Sequence, residues 1–149
     1  MEIQNVIKQS RFKDGYHKAM INLFYTSNYF RDVHLKIFIK YNIQGQHFNI
    51  LRILKGKHPE HVSPGYIKEV MLDKGRDITR LIDKLVVKGW VNRCICPDNK
   101  RKMDISLTES GMEAINKITS EVNQSDMNLK TLSEEEYHLL SNLLDKMRG

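Results

Sequence analysis

The sequence predicts a mainly α-helical fold that carries one small β-hairpin. Apolar residues recur at three- and four-residue intervals through most of the chain, and only after Trp90 does the interval shorten to two. Pro and Gly are few and fall between the periodic segments, so they mark turns and not linkers. With 149 residues, 40% apolar and 28% charged, the chain is expected to form a single soluble globular domain. No run approaches the roughly 18 apolar residues that a bilayer span needs, and the opening stretch, MEIQNVIKQSRFKDG, lacks the apolar core of a signal peptide. A cytoplasmic protein without membrane contact is therefore expected. Two cysteines are too few for a disulfide scaffold, which agrees with a reducing compartment.

Ile3, Val6 and Ile7 suit a short helical arm. From Tyr16 to about Tyr41, the residues Met20, Leu23, Phe24, Phe30, Val33, Ile37 and Phe38 fit one long amphipathic helix. So small a domain does not need that length for its own core, and a partner subunit is a natural home for part of it. Asn42 to Gly45 break the pattern, and a second helix runs from about Gln46 to Lys55 with Phe48, Leu51 and Leu54 inward. Ser63 followed by Pro64 is a helix start, with Ser as N-cap and Pro at the first helical position. Tyr66, Ile67, Val70 and Met71 give that short helix its stripe, and Asp73-Lys74-Gly75 forms a tight turn. The next helix, roughly Arg76 to Lys88, is the most regular: Ile78, Leu81, Ile82 and Leu85 share one buried face, and Gly89 is a natural C-cap.

In the hairpin, Val91, Arg93 and Ile95 alternate with Asn92, Cys94 and Cys96, and Met103, Ile105 and Leu107 with Lys102, Asp104 and Ser106. PDNKR is the turn between them, with a cationic tip. Thr108 then caps a helix bearing Met112, Ile115, Ile118 and Val122 that runs to about Met127. Ser133 with Glu136 fits a capping box, and Leu132 with Tyr137 a hydrophobic staple, at the start of a last helix with Leu140, Leu144 and Met147 on its apolar face.

The net charge of +6, with a sequence pI near 9.3, matters less than its location. Between Lys74 and Lys102 stand nine cations and three acids, which leaves 15 of each elsewhere. The whole excess lies in about a fifth of the chain, the footprint of a surface that meets a polyanion. Helix, tight turn, helix and hairpin in that order make a winged helix-turn-helix. A major groove about 12 Å wide admits one α-helix, whose exposed side chains reach base edges. Arg76, Thr79 and Arg80 hold the early exposed positions of that helix, where Arg pairs with guanine and Thr touches a thymine methyl or a phosphate. Lys84, a turn further on, suits a phosphate, and Lys100, Arg101 and Lys102 suit the backbone or the adjacent minor groove. Asp77 would be repelled by phosphate and is expected to orient Arg76 or Arg80.

From Gln46 to Gly111 the sequence resembles the MarR (multiple-antibiotic-resistance regulator) family of bacterial transcription factors. The residues that carry the resemblance are FNILRIL, ITRLIDKLVVKGWVNR and DNKRKMDISLTESG. The resemblance implies a winged helix-turn-helix over residues 46–108, flanked by helical dimerisation regions over 1–41 and 109–149. It implies a homodimer on pseudo-palindromic double-stranded promoter DNA, acting as a repressor or less often an activator. It also implies relief by a small aromatic or anionic effector, or by cysteine oxidation. Carried over by position, Arg76, Asp77, Thr79 and Arg80 fall on positions that enter the major groove, and Arg101 on the wing arginine. Two positions depart from the pattern. Asn99 stands where the wing usually has Asp, with Asp98 beside it, and Gly75 stands where a polar or charged residue is common.

Tyr25, Tyr29, Phe30 and Trp90 are the candidate lining of an effector site, in competition with an ordinary role in the core. Cys94 and Cys96 stand two apart on a strand, which places their Cβ atoms roughly 6 to 7 Å apart, too far for an undistorted disulfide. Two thiols do not make a four-ligand zinc site, and nothing in the sequence places His58 and His61 near the hairpin, so no metal or other cofactor is expected. Thiol sensing through Cys94 or Cys96 remains an alternative. A winged helix that binds protein is another, although it would not require the charge concentration. No Gly-rich phosphate loop, nucleophile elbow or paired His on a helix is present, so an enzyme is not expected.

Overall fold

A computed structural model describes residues 1–97 and 99–149; for Cys96, Lys100, Arg101 and Lys102 it describes the backbone alone. The elements follow the order α1 (Ile3–Val6), α2 (Gly15–Lys40), α3 (Gly45–Lys57), α4 (Pro64–Val70), α5 (Ile78–Val87), β1 (Val91–Cys96), β2 (Asn99–Leu107), α6 (Glu109–Met127) and α7 (Glu134–Arg148). The mainly helical fold with one antiparallel hairpin is the architecture expected from the sequence.

The core centres on α3. Ile50, Leu51 and Leu54 meet Ile67 of α4, Ile82 and Leu85 of α5, Ile105 of β2, and Ile115 and Ile118 of α6, all essentially excluded from solvent. Asp14 caps α2, accepting from the His17 N–H at 2.7 Å. With 26 residues α2 runs about 39 Å, yet only Ile37 and Phe38 near its end are buried. Phe24 is 62% exposed, and Tyr16, Tyr25, Tyr29 and Phe30 are also exposed. None of the residues of α7 is buried, and Leu139, Leu140, Leu143 and Met147 face solvent. The chain thus leaves apolar side chains uncovered on α2 and on α7.

Helices α2 and α6 run antiparallel and are tied by polar contacts. His34 Nε2 lies 2.6 Å from Asp126 Oδ1. Lys40 donates to Glu121 Oε2 at 3.2 Å, and the Tyr41 hydroxyl donates to Glu121 Oε1. That hydrogen bond, then burial, then the carboxylate's charge push the Tyr41 hydroxyl up to about 12.

Several local expectations need correction. Helix α4 ends at Val70, whose side chain is exposed, and not near Leu72. Helix α5 begins at Ile78 and not at Arg76, because Asp77 keeps an extended backbone and spends its carboxylate as the N-cap. Gly89 follows the C-cap residue Lys88 with φ +75; its N–H donates to Val86 O and the Trp90 N–H to Leu85 O, a Schellman closure. The inward face of the hairpin covers only its base: Val91, Ile105 and Leu107 are buried, whereas Ile95 and Met103 are exposed. Val62 makes an isolated antiparallel bridge at that base, exchanging both backbone hydrogen bonds with Ile105 at 2.9 and 2.8 Å.

Candidate nucleic-acid interface

Ser63 accepts from the Tyr66 N–H at 3.1 Å, and Pro64 opens α4, so the first helix of the helix-turn-helix starts where the sequence places it. The turn that follows is pinned to α3 from beneath. Asn49 Oδ1 accepts from the Leu72 N–H at 2.9 Å, and Gln46 Nε2 donates to Asp73 Oδ2 at 2.9 Å. The Lys74 ammonium donates to the carbonyl of Glu69. Gly75 has φ +80, a left-handed conformation that disfavours any side chain, which is a backbone reason for Gly where a polar residue is common.

Beyond the turn the two candidate arginines differ. Arg76 Nε donates to Asp73 Oδ2 at 3.0 Å. Arg80 is exposed and has no carboxylate partner among the described residues. Asp77 does not orient either guanidinium as the sequence suggested: its Oδ1 accepts from the backbone N–H of Arg80 at 3.3 Å. Asp73, which the sequence left in the turn, is the acid that holds Arg76. Hydrogen bonds from Gln46 and Arg76 keep its carboxyl below the usual carboxylate range. Thr79 is exposed on the first turn of α5. Lys84 lies on the flank of α5 toward α3, with Nζ donating to Asn42 Oδ1 at 3.5 Å. Lys84 and Lys88 both act on His47, which is buried in α3 and accepts at Nδ1 from the Gln44 N–H at 3.0 Å. Burial first, then these two ammonium groups, lower His47 to about 4, so it is neutral near pH 7. Leu72, 85% exposed, is an apolar member of this face that hydrophobic patterning assigned to the helix end.

The hairpin is tied to the same helix by Arg93, whose guanidinium donates to Asp83 of α5. Its ladder runs Val91↔Leu107, Arg93↔Ile105 and Ile95↔Met103, then jumps to Cys96↔Asn99. Lys100, Arg101 and Lys102 therefore fall between two ladder pairs, on the strand and not in the turn; their side chains, like Asp98 and the question whether it replaces the acid missing at Asn99, lie outside the described residues. His61 stands beside the wing after all, with Nδ1 3.9 Å from Asp104 Oδ2, because Val62 pairs with β2. Cys94 is an exposed free thiol whose ladder partner is Asp104. Among the described residues no three His, Cys, Asp or Glu side chains gather as metal ligands.

The four aromatic effector candidates are not gathered within one chain. Lys40 and Tyr41 meet α6 at Glu121 and His34 meets it at Asp126, so Tyr25, Tyr29 and Phe30 lie past the C-terminal end of α6. Trp90 lies at the other end, its carbonyl against Gly111, with Lys88 Nζ 4.6 Å from its ring centroid. An α6 of 19 residues, about 28 Å, separates the two ends. An open groove of about 390 Å³ between α2 and α6 is lined instead by Val33, Lys36, Ile37, Lys40, Glu121 and Gln124, among others.

No family model matches the chain. The HTH-type transcriptional regulator PecS of Dickeya dadantii is 31% identical over 115 residues, 75% of this chain and 69% of that protein. A MarR transcription factor from Planctomyces limnophilus superposes with a TM-score of 0.71 at 30% identity, over 91% of this chain and 98% of the other. A mutant of E. coli MarR complexed with operator DNA shares the fold, with a TM-score of 0.78 at 24% identity over 93% of this chain and 99% of the other. With that identity over nearly the whole length of a MarR transcription factor, and with the helix-turn-helix and wing in place, this chain belongs to the MarR family of DNA-binding transcriptional regulators.

Proposed function

We propose that the chain is a cytoplasmic, homodimeric repressor that binds pseudo-palindromic promoter DNA, its affinity modulated by a small aromatic or anionic effector. The observation that carries the reading is the cationic face at the start of α5, where Arg76, Thr79 and Arg80 stand exposed behind a turn anchored to α3. Arg76, Thr79 and Arg80 supply base readout, Lys84 and the wing cations supply phosphate contacts, and residues 1–41 with 109–149 form the dimer. The apolar side chains left uncovered on α2 and on α7 support self-association, since large exposed apolar patches mark interfaces. A twofold dimer would set its two recognition helices about 34–36 Å apart, one turn of DNA. The α2–α6 groove brings Lys36 and Lys40 together with Glu121, to which Lys40 already donates, so it leaves Lys36 as the cation there for an anionic effector. Such a ligand acts only as far as it prefers one spacing of the recognition helices over another. Among the described residues nothing favours the thiol-sensor alternative: Arg93 is turned to Asp83, and the residue facing Cys94 is the carboxylate Asp104.

A mobility-shift titration tests the reading. With ~6–10 phosphate contacts per dimer, affinity falls on the order of 10³ to 10⁵ between 50 and 200 mM salt. Absence of binding to any genomic fragment at 50 mM salt would sink it, and a monomer in sedimentation would sink the two-half-site model. Sequencing the bound fragments identifies the operator.

A further inference from the structure

Arg76, in the turn before α5, and Arg80, in the first turn of α5, differ in what holds them. Arg80 has no acidic partner among the described residues, whereas Arg76 gives its Nε–H to Asp73 Oδ2 at 3.0 Å. The same oxygen accepts from Gln46 Nε2 at 2.9 Å, so Asp73 is itself anchored to the first turn of α3. A guanidinium held through Nε keeps its two terminal nitrogens for another acceptor pair, the fork that matches O6 and N7 of guanine. Its charge, however, is offset by a carboxylate at contact distance, which weakens its pull on a phosphate. We propose that Asp73, braced by Gln46, is a specificity-determining positioning residue: it holds Arg76 for base readout and keeps it off the phosphate backbone. Arg76 then adds discrimination to the readout by Thr79 and Arg80. The depressed carboxyl of Asp73 stays ionised throughout the neutral range, so the brace persists wherever DNA is bound. The turn does not depend on this pair alone, because Asn49 holds the Leu72 N–H and Lys74 holds the Glu69 carbonyl.

The inference rests on the DNA-binding reading, and its test separates the two. The duplex recovered from genomic fragments and a scrambled duplex of equal length are titrated with the unmutated chain, Asp73→Asn, Arg76→Ala and the double variant between 50 and 200 mM salt. Asp73→Asn is expected to lower the preference for the recovered duplex on the order of tenfold. It is also expected to bind the scrambled duplex more tightly, with a salt slope steeper by up to about 0.9 per chain. In the Arg76→Ala background the same substitution changes neither quantity. Unchanged preference and slope in Asp73→Asn overturn the proposal, and so does an equal change in the Arg76→Ala background, which would place the effect in the turn. Hydrogen exchange of the Arg76 Nε–H, followed by NMR in the free protein, needs no DNA: it should be slow in the unmutated chain and fast in Asp73→Asn. Fast exchange in both overturns the proposal even if the chain proves not to bind DNA, the outcome that sinks the regulator reading.

Discussion

Replacing Gly111 by Ala tests the joint between α6 and the recognition helix with a sign that simple helix propensity gets wrong. Gly111 lies in the first turn of α6, and a Cβ there would stand 1.9 Å from the Trp90 carbonyl oxygen, 2.8 Å from its carbon and 3.0 Å from Cα. All three are backbone atoms, so no side chain can swing aside. An ordinary C···O contact is about 3.3 Å, which requires a retreat of about 1.4 Å. That movement would break the Thr108 N–H to Trp90 O bond (3.1 Å) and the Thr108 Oγ1 to Gly89 O bond (2.6 Å). Two lost hydrogen bonds cost about 0.5–1.5 kcal/mol each, and strain that is not relieved costs about 1–3 kcal/mol. Ala returns about 1 kcal/mol through its helix propensity, leaving a net loss of about 3 kcal/mol. Gly56→Ala in α3 is the control, because nothing lies within 4 Å of its added Cβ; there the gain of up to about 1 kcal/mol should appear alone. Urea unfolding at one fixed protein concentration reads both. A Gly111→Ala midpoint equal to or above that of the unmutated chain would refute the close approach.

Acid should destabilise the fold through His47. Its folded pKa of about 4 lies below the ordinary 6.5, so between those values the unfolded chain binds the proton that the folded chain refuses, and stability is lost as pH falls through that window, by up to about 3 kcal/mol. His47→Gln, which can keep the capping box, should flatten that slope in urea unfolding, and an unchanged slope would place the acid sensitivity elsewhere. Asp83→Asn removes the tie from α5 to Arg93 on the wing; it should change stability by less than about 1 kcal/mol, as befits a partly exposed pair, while operator affinity in a mobility shift falls several-fold. If affinity holds, the wing is positioned by its base and not by this pair. Leu139→Asp with Leu143→Asp on α7 should give monomers in sedimentation at micromolar protein and weaken operator binding, whereas a persistent dimer would move the interface away from α7.

The large features were legible because each has a local physical cause. The Ser63-Pro64 start, the Ser133–Glu136 box and the Thr108 cap are short-range hydrogen-bonding devices, and each forms where the sequence puts it. The overlong apolar stripe of α2 is real: only Ile37 and Phe38 are buried, while Phe24 and Phe30 are exposed. What escaped was decided by partners distant in sequence or by competition between local options. Asp77 reads as part of a helix by periodicity, but its carboxylate satisfies an orphan N–H better from outside the helix. Asp73 reads as a turn former, and only Gln46, 27 residues away, reveals it as the brace of Arg76. His61 looks remote from the wing because the Val62–Ile105 pairing, which brings it there, leaves no periodic signal in one residue.

The segment LTESG shows how a motif becomes mechanics. In the sequence it marks a family resemblance; in the fold it joins two helix ends. The Schellman closure of α5 places the carbonyls of Gly89 and Trp90 outward, where Thr108 takes one through Oγ1 and the other through its N–H. The same Oγ1 accepts from the Gly111 N–H at 2.9 Å and so caps α6. The C-terminus of the recognition helix and the N-terminus of α6 therefore share one hydroxyl and two carbonyls, with no room between them for a methyl group. A tilt of α6 must either break that cap or carry the end of α5 with it. Since α6 also bears the Glu121 and Asp126 side-chain contacts to α2, the hydroxyl and N–H of Thr108 are the link by which a change in how α2 and α6 pack would bear on the end of the recognition helix.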